Sequence, residues 1–158
     1  MIAEVRAILP ETKLWYGCNW WPNVSAVNFW DDLDFIAVSA YYPLSSHINP
    51  SIDELNASWV PVMDTLKATS QKFNKKVIFS EIGYASFDQA PIDPTKCCSG
   101  NPNLETQRVL FESFFEKVWP QDWFAGVFWW SWDALNTQPT NPNTNNFEIF
   151  GKPAQTTL

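Results

Sequence analysis

Three runs of the chain are apolar at almost every position: LDFIAVSAY at 33–41, KVIFSEI at 76–82 and AGVFWWSW at 125–132. A half-exposed strand alternates apolar and polar residues. These do not, and each reads as a strand buried on both faces, as in a parallel sheet. A shorter strand is read at 13–18, KLWYGC. Helical patterns separate the runs. Ser51, followed three residues later by Glu54, forms a capping box. Ile52, Leu55, Trp59, Val62, Leu66 and Phe73 then follow at near-helical spacing, with Pro61 as the expected kink. Residues 104–119 are amphipathic through Leu104, Phe111, Phe114, Phe115 and Val118. Residues 1–9 carry Ile2, Val5, Ile8 and Leu9 up to the stop at Pro10. One or two helical turns fit 24–30, and loops fit 84–102 and 136–146.

Strand, helix, strand, helix, strand implies parallel βαβ units with right-handed crossovers. The chain has 158 residues, read as one domain without internal repeats. Four strands are half of a (β/α)8 barrel, which typically needs ~250 residues. The expected fold is therefore α/β, a partial (β/α)8 TIM barrel. The alternative, an open doubly wound sheet, usually carries a Gly-rich phosphate turn after its first strand. Here Gly17 and Gly83 stand alone. A start inside a helix leaves such a barrel open, so the expectation is a truncated reading of a longer protein.

Composition narrows the partners. The formal charge of −7 argues against nucleic acid or an anionic membrane surface, which need basic patches, and is compatible with a neutral polysaccharide. No stretch approaches the ~20 apolar residues of a membrane span. The N-terminus lacks the basic and apolar regions of a signal peptide. Ten Trp and twelve Phe serve a core or a sugar cleft equally well. Cys18, Cys97 and Cys98 are too few and too irregular for a disulfide framework or a zinc site. His47 is the only histidine, which disfavours a triad or a histidine metal cluster, and no cofactor is expected. Two N-x-S sequons, at Asn23 and Asn56, are weak hints of secretion. The compartment stays open.

Glu81 is the sharpest chemical signal. It sits near the end of a strand otherwise made of Val77, Ile78, Phe79 and Ser80. A carboxylate there reaches the sheet's C-terminal rim, where such folds place their active sites, or stays buried at a cost of several kcal/mol. The bland alternative is a structural acid paired with an Arg or Tyr. Tyr41 and Tyr42 end the preceding strand. By alternation Tyr41 shares a face with Ser39 and Ala37, which makes it the preferred partner of Glu81. Trp130 and Trp132 share a face at the last strand's end and are candidate sugar platforms, with Trp20 and Trp21 in the first loop and Tyr42 as further candidates. Each of these rings serves equally as ordinary packing.

The segments YGCNWWPNV, FWDDLDFIAVSAYYPLS, KKVIFSEIGYASFDQAP, WFAGVFWWSWD and GKPA together resemble glycoside hydrolase family 113. These are β-mannanase-type barrels of the clan whose two catalytic glutamates end strands four and seven. The resemblance implies that the four strands here are five to eight. It puts Glu81 at the nucleophile position, Tyr41 near the strand-six Tyr that contacts it, and Trp130 near the strand-eight aromatic under the substrate. It also implies a gap. The family's acid/base glutamate ends strand four in an Asn-Glu pair, and the chain begins after that point. Neither Glu4 nor Glu11 lies at a strand end, so neither takes that role.

Two functions compete. One is a fragment of a retaining hydrolase acting on β-mannan-type polysaccharide, with Glu81 as nucleophile. The other is a non-catalytic carbohydrate-binding or self-assembling half barrel, joined through its open edges. In either case the isolated chain is expected to be weakly active or inactive.

Overall fold

The computed structural model describes residues 1–21, 24–98, 100–135, 141 and 144–158. Four strands form one sheet: β1 (Trp15–Asn19), β2 (Phe35–Ser39), β3 (Val77–Ile82) and β4 (Phe124–Trp129). Every neighbouring pair is parallel, in the order β1-β2-β3-β4. Space order follows chain order, so the sheet has no reversal point of the doubly wound kind. Three helices accompany it: α1 (Ile2–Ile8), α2 (Ile52–Phe73) and α3 (Leu104–Lys117). Three short 3-10 helices cover Val24–Ala26, Trp30–Asp32 and Pro153–Thr157. The architecture is a partial (β/α)8 barrel.

The two faces of the sheet differ. On the helix side Phe79 lies among Phe124, Phe114 of α3 and Trp59 of α2, with ring centroids 5.0, 6.0 and 6.3 Å away. With Ile36, Val38, Leu55 and Leu66, all fully buried, these rings make the core. On the other face the rings of Trp15 and Phe128, from the two outer strands, stand 6.0 Å apart. Three strand spacings of a flat sheet separate its outer strands by about 14 Å, so this sheet curls around that face. Small residues line the inside: a Cβ on Gly17 would meet the Ser80 hydroxyl at 3.1 Å.

Local sequence explains most element ends. Ser51 caps α2 with Glu54 in a reciprocal capping box, and Asn74 closes it in the left-handed conformation at φ 50°. The helix runs through Pro61 as one element. Asn103 caps α3 by accepting the Thr106 N–H. The last strand is shorter than its apolar run suggests, ending at Trp129, and the Trp130–Ser131 peptide is cis. Helical turns expected at 24–30 are two separate 3-10 turns. The sulfurs of Cys97 and Cys98 are joined to each other, and Cys18 is a buried free thiol. Asn56 of the second sequon accepts from Ser113 and donates to Glu116, tying α2 to α3. Asn23 and most of the 136–146 loop lie outside the described residues.

Among those residues no helix is long and apolar enough to cross a membrane, and no three His, Cys, Asp or Glu gather in a metal-binding group. His47 is exposed and contacts Glu54 at 3.2 Å.

Candidate active site

Glu81 reaches its position through an irregularity in β3. Val38 pairs with Phe79 and Ser39 with Glu81, so two residues of β3 advance against one of β2. Simple alternation would put Glu81 on the same side as Phe79, in the core. The bulge absorbs one step. Phe79 and Ile82 are both fully buried core residues, and Glu81 between them is freed to the opposite side, half-buried. Backbone bonds fasten the rim around it. The Ala40 N–H donates to the Glu81 carbonyl at 2.7 Å, and the Trp130 N–H to the Ile82 carbonyl at 2.7 Å. A side chain at Gly83 would collide with the Trp130 carbonyl, so only glycine lets β3 and β4 close this tightly.

The Tyr41 hydroxyl donates to Glu81 Oε1 at 2.6 Å. Partial burial raises the Tyr41 phenol above its ordinary range, and the bonded Glu81 carboxylate raises it further. The phenol therefore remains a donor wherever the carboxylate is ionised. Glu81 is the sole Asp or Glu within the four strands.

Tyr42 faces the other way. Its ring meets Trp59 edge-on at 6.1 Å and Trp20 at 6.1 Å, on the helix side. Burial raises its phenol as well. With Trp21, Pro61, Val62 and Thr65 these two rings line a cavity of about 240 Å³. Trp20 and Tyr42 thus form an aromatic group of their own, apart from the Tyr41–Glu81 pair. Trp129 packs on α3, its ring 4.5 Å from Phe111 and 4.9 Å from Phe114. Trp130 and Trp132 are each 51% exposed, and Trp132 leans on Phe150 at 5.7 Å.

Sequence patterns assign no role to the segment after the 136–146 loop. Phe147 stands edge-on to Tyr41, centroids 6.4 Å apart. Buried Glu148 accepts the N–H groups of Asp133, Ile149 and Phe150 at 2.7, 3.0 and 3.1 Å. Buried Lys152 donates to Asn146 and Ser86. A lysine in a GKPA tetrapeptide carries no local signal of burial.

A curled parallel sheet whose one strand carboxylate sits at the C-terminal rim, held by a tyrosine, defines a partial (β/α)8 barrel with its candidate site at that rim. The chain belongs to Glycoside Hydrolase Family 113, whose family model matches residues 1–152. It is similar to the β-mannanase of Alicyclobacillus acidocaldarius, solved in complex with ManMIm, at 29% identity and TM-score 0.79. A second family 113 β-1,4-mannanase matches at 27% identity and TM-score 0.78. In both cases 98% of this chain aligns with 46% of the other, so the chain spans less than half the length of these relatives. A β-glucuronidase of Faecalibacterium prausnitzii shares the fold at 16% identity and TM-score 0.59, over 94% of this chain and 24% of that one. No curated protein matches.

Proposed function

We propose that the chain carries the nucleophile half of a retaining glycoside hydrolase acting on β-mannan-type polysaccharide, with Glu81 as the nucleophile. The observation that carries this reading is the 2.6 Å bond from Tyr41 to the sole strand carboxylate, at the rim of a family 113 sheet. In a retaining reaction a carboxylate attacks the anomeric carbon and the glycosidic C–O bond breaks. A second carboxyl group, roughly 5–5.5 Å from the first, protonates the leaving oxygen. Water then cleaves the glycosyl ester, with the second group taking its proton. Glu81 fits the attacking role, because the Tyr41 hydroxyl holds and orients one of its oxygens. None of the four strands carries a second Asp or Glu for the protonating role. Trp130 and Trp132 offer exposed ring faces on which pyranose rings stack. Trp20 and Tyr42 serve a more distant part of a long chain, through the cavity they share.

The test is Glu81→Ala in a barrel completed with the first four strands. Mannan hydrolysis should vanish while the fold persists, and azide should restore turnover as a glycosyl azide of inverted configuration. Hydrolysis retained by the variant would remove Glu81 from the role. The exposed Trp15, Tyr16 and Phe128 favour a second reading, a half barrel that binds sugar or assembles without catalysis. Calorimetry with manno-oligosaccharides and light scattering on the isolated chain would test it, and a monomer that binds nothing would dismiss it.

A further inference from the structure

We propose that Lys152, acting through Asn146 and Phe147, is a positioning residue that holds Tyr41 on Glu81. The catalytic meaning of this rests on the proposed role of Glu81; the mechanical claim does not.

Lys152 is 2% exposed. Its Nζ donates to Asn146 Oδ1 at 2.6 Å, to Ser86 Oγ at 2.9 Å and to the Asn146 carbonyl at 3.2 Å, one acceptor for each ammonium proton. Burial pulls this ammonium down to about 8, against the opposing charge of Glu148. A lysine kept in so unfavourable a place needs all three acceptors. Two of these acceptors belong to Asn146, and the third, Ser86, is itself bonded to Asn146. The Ser86 N–H donates to the Asn146 carbonyl at 3.0 Å, and Gln107 of α3 reaches the carbonyls of Asn146 and Phe147 at 3.5 Å each. From the other side Glu148 fastens the segment to Asp133, just past β4.

Between these two anchors lies Phe147. Its Cδ1 would stand 3.2 Å from a Cβ on Gly83, so it seats directly over the glycine that follows the nucleophile strand. Its ring is set at 78° to Tyr41 and walls one side of the phenol. Tyr41 follows β2, beyond the ladder, with no strand partner to fix it. The order of dependence is Lys152, Asn146, Phe147, Tyr41, Glu81. Without the lysine, Asn146 and Ser86 lose a shared donor, the segment shifts, and Tyr41 loses its wall.

The experiment follows the tyrosines of the 158-residue chain individually, by carbon NMR of ring-labelled tyrosine at neutral pH, where Lys152 is charged and each Cζ resonance reports the hydrogen bond of its phenol. It uses the parent chain, Lys152→Met and Phe147→Leu. Tyr42, buried against Trp59 on the helix side, is the internal control for folding. Glu81 is the charged group Tyr41 contacts, so loss of that bond moves the Tyr41 Cζ resonance toward that of an unbonded phenol. The expected result is a Tyr41 Cζ resonance displaced toward that of an unbonded phenol in both variants, with that of Tyr42 unchanged. Tyr41 unchanged in a folded variant overturns the proposal. Both tyrosines moving together also overturns it, since that marks general loosening. If Lys152→Met does not fold, Phe147→Leu decides alone. Failure of the nucleophile assignment shows up separately, as hydrolysis retained by Glu81→Ala.

Discussion

Tyr41 and Lys152 each place a proton donor where burial works against its charged form, yet one donor is neutral and the other carries a charge. The Tyr41 phenol is neutral and donates to a carboxylate, a charge-assisted bond worth about 1.5–3 kcal/mol. Tyr41→Phe in the completed barrel should lower kcat/KM by roughly 10- to 100-fold with little loss of stability, as steady-state kinetics would report. Lys152 is charged at neutral pH, and its folded value near 8 lies below the ordinary lysine value. The unfolded chain then binds more protons between about pH 8 and 10.5, so this group's contribution to stability rises with pH across that window and is lost below it. Urea unfolding of the parent chain against Lys152→Met should show the difference moving in the parent's favour over that range. A flat difference would contradict it.

Element placement depends on a few polar ties as well as on the core. Asp34, just before β2, accepts the Leu14 N–H at 2.8 Å, the Arg6 guanidinium of α1 at 2.6 Å and Lys13 at 3.2 Å. The Leu14 amide, then Arg6, hold this carboxyl well below the usual carboxylate range. The folded state therefore prefers it ionised. Its contribution is full above about pH 4 and fades as pH falls toward the lower folded value. Asp34→Asn should destabilise the chain by on the order of 1–2 kcal/mol at neutral pH, given that Lys13 is mostly exposed, and by less at acid pH. Denaturant curves at the two pH values check it. The exchange protection of α1 should fall first, because that seven-residue helix has no buried residue of its own. α2 and α3 are joined differently, by Asn56 to Ser113 and Glu116 and by a shared aromatic layer, and should exchange last.

As a whole molecule, the chain presents two outer parallel strands and a curled inner face that carries half-exposed rings. Trp15 and Phe128 of that face, Tyr16 on the opposite face against Phe29 and Trp30, and Trp130 and Trp132 past β4 are each 45–55% exposed. Apolar rings beside unpaired strand edges favour association. The isolated chain should gain mass with concentration in sedimentation experiments, and a separately expressed first half of a family 113 barrel should suppress that gain by pairing with both edges. A monomer at all concentrations, indifferent to the added half, would count against this view of the edges.

Features that depend on neighbours along the chain were legible in the residues alone. The unbroken apolar runs dictate buried parallel strands, Ser51 and Glu54 dictate the start of α2, and a carboxylate in 76–82 dictates a rim site or a buried charge. Strand alternation also selected Tyr41 over Tyr42. Register and distant contacts, by contrast, were set only by the folded arrangement. Alternation alone turns Glu81 toward the core, and the bulge against β2 turns it out. A sequon at Asn56 reads as surface, yet the crossing of α2 and α3 turns its amide into a tie. Lys152, Glu148 and Phe147 look like an ordinary loop until the fold brings them to Ser86, Asp133 and Tyr41, up to 106 positions away in sequence. Local pattern fixes backbone class because propensity and capping act within a few residues. Which polar atom meets which is fixed only when packing brings the segments together.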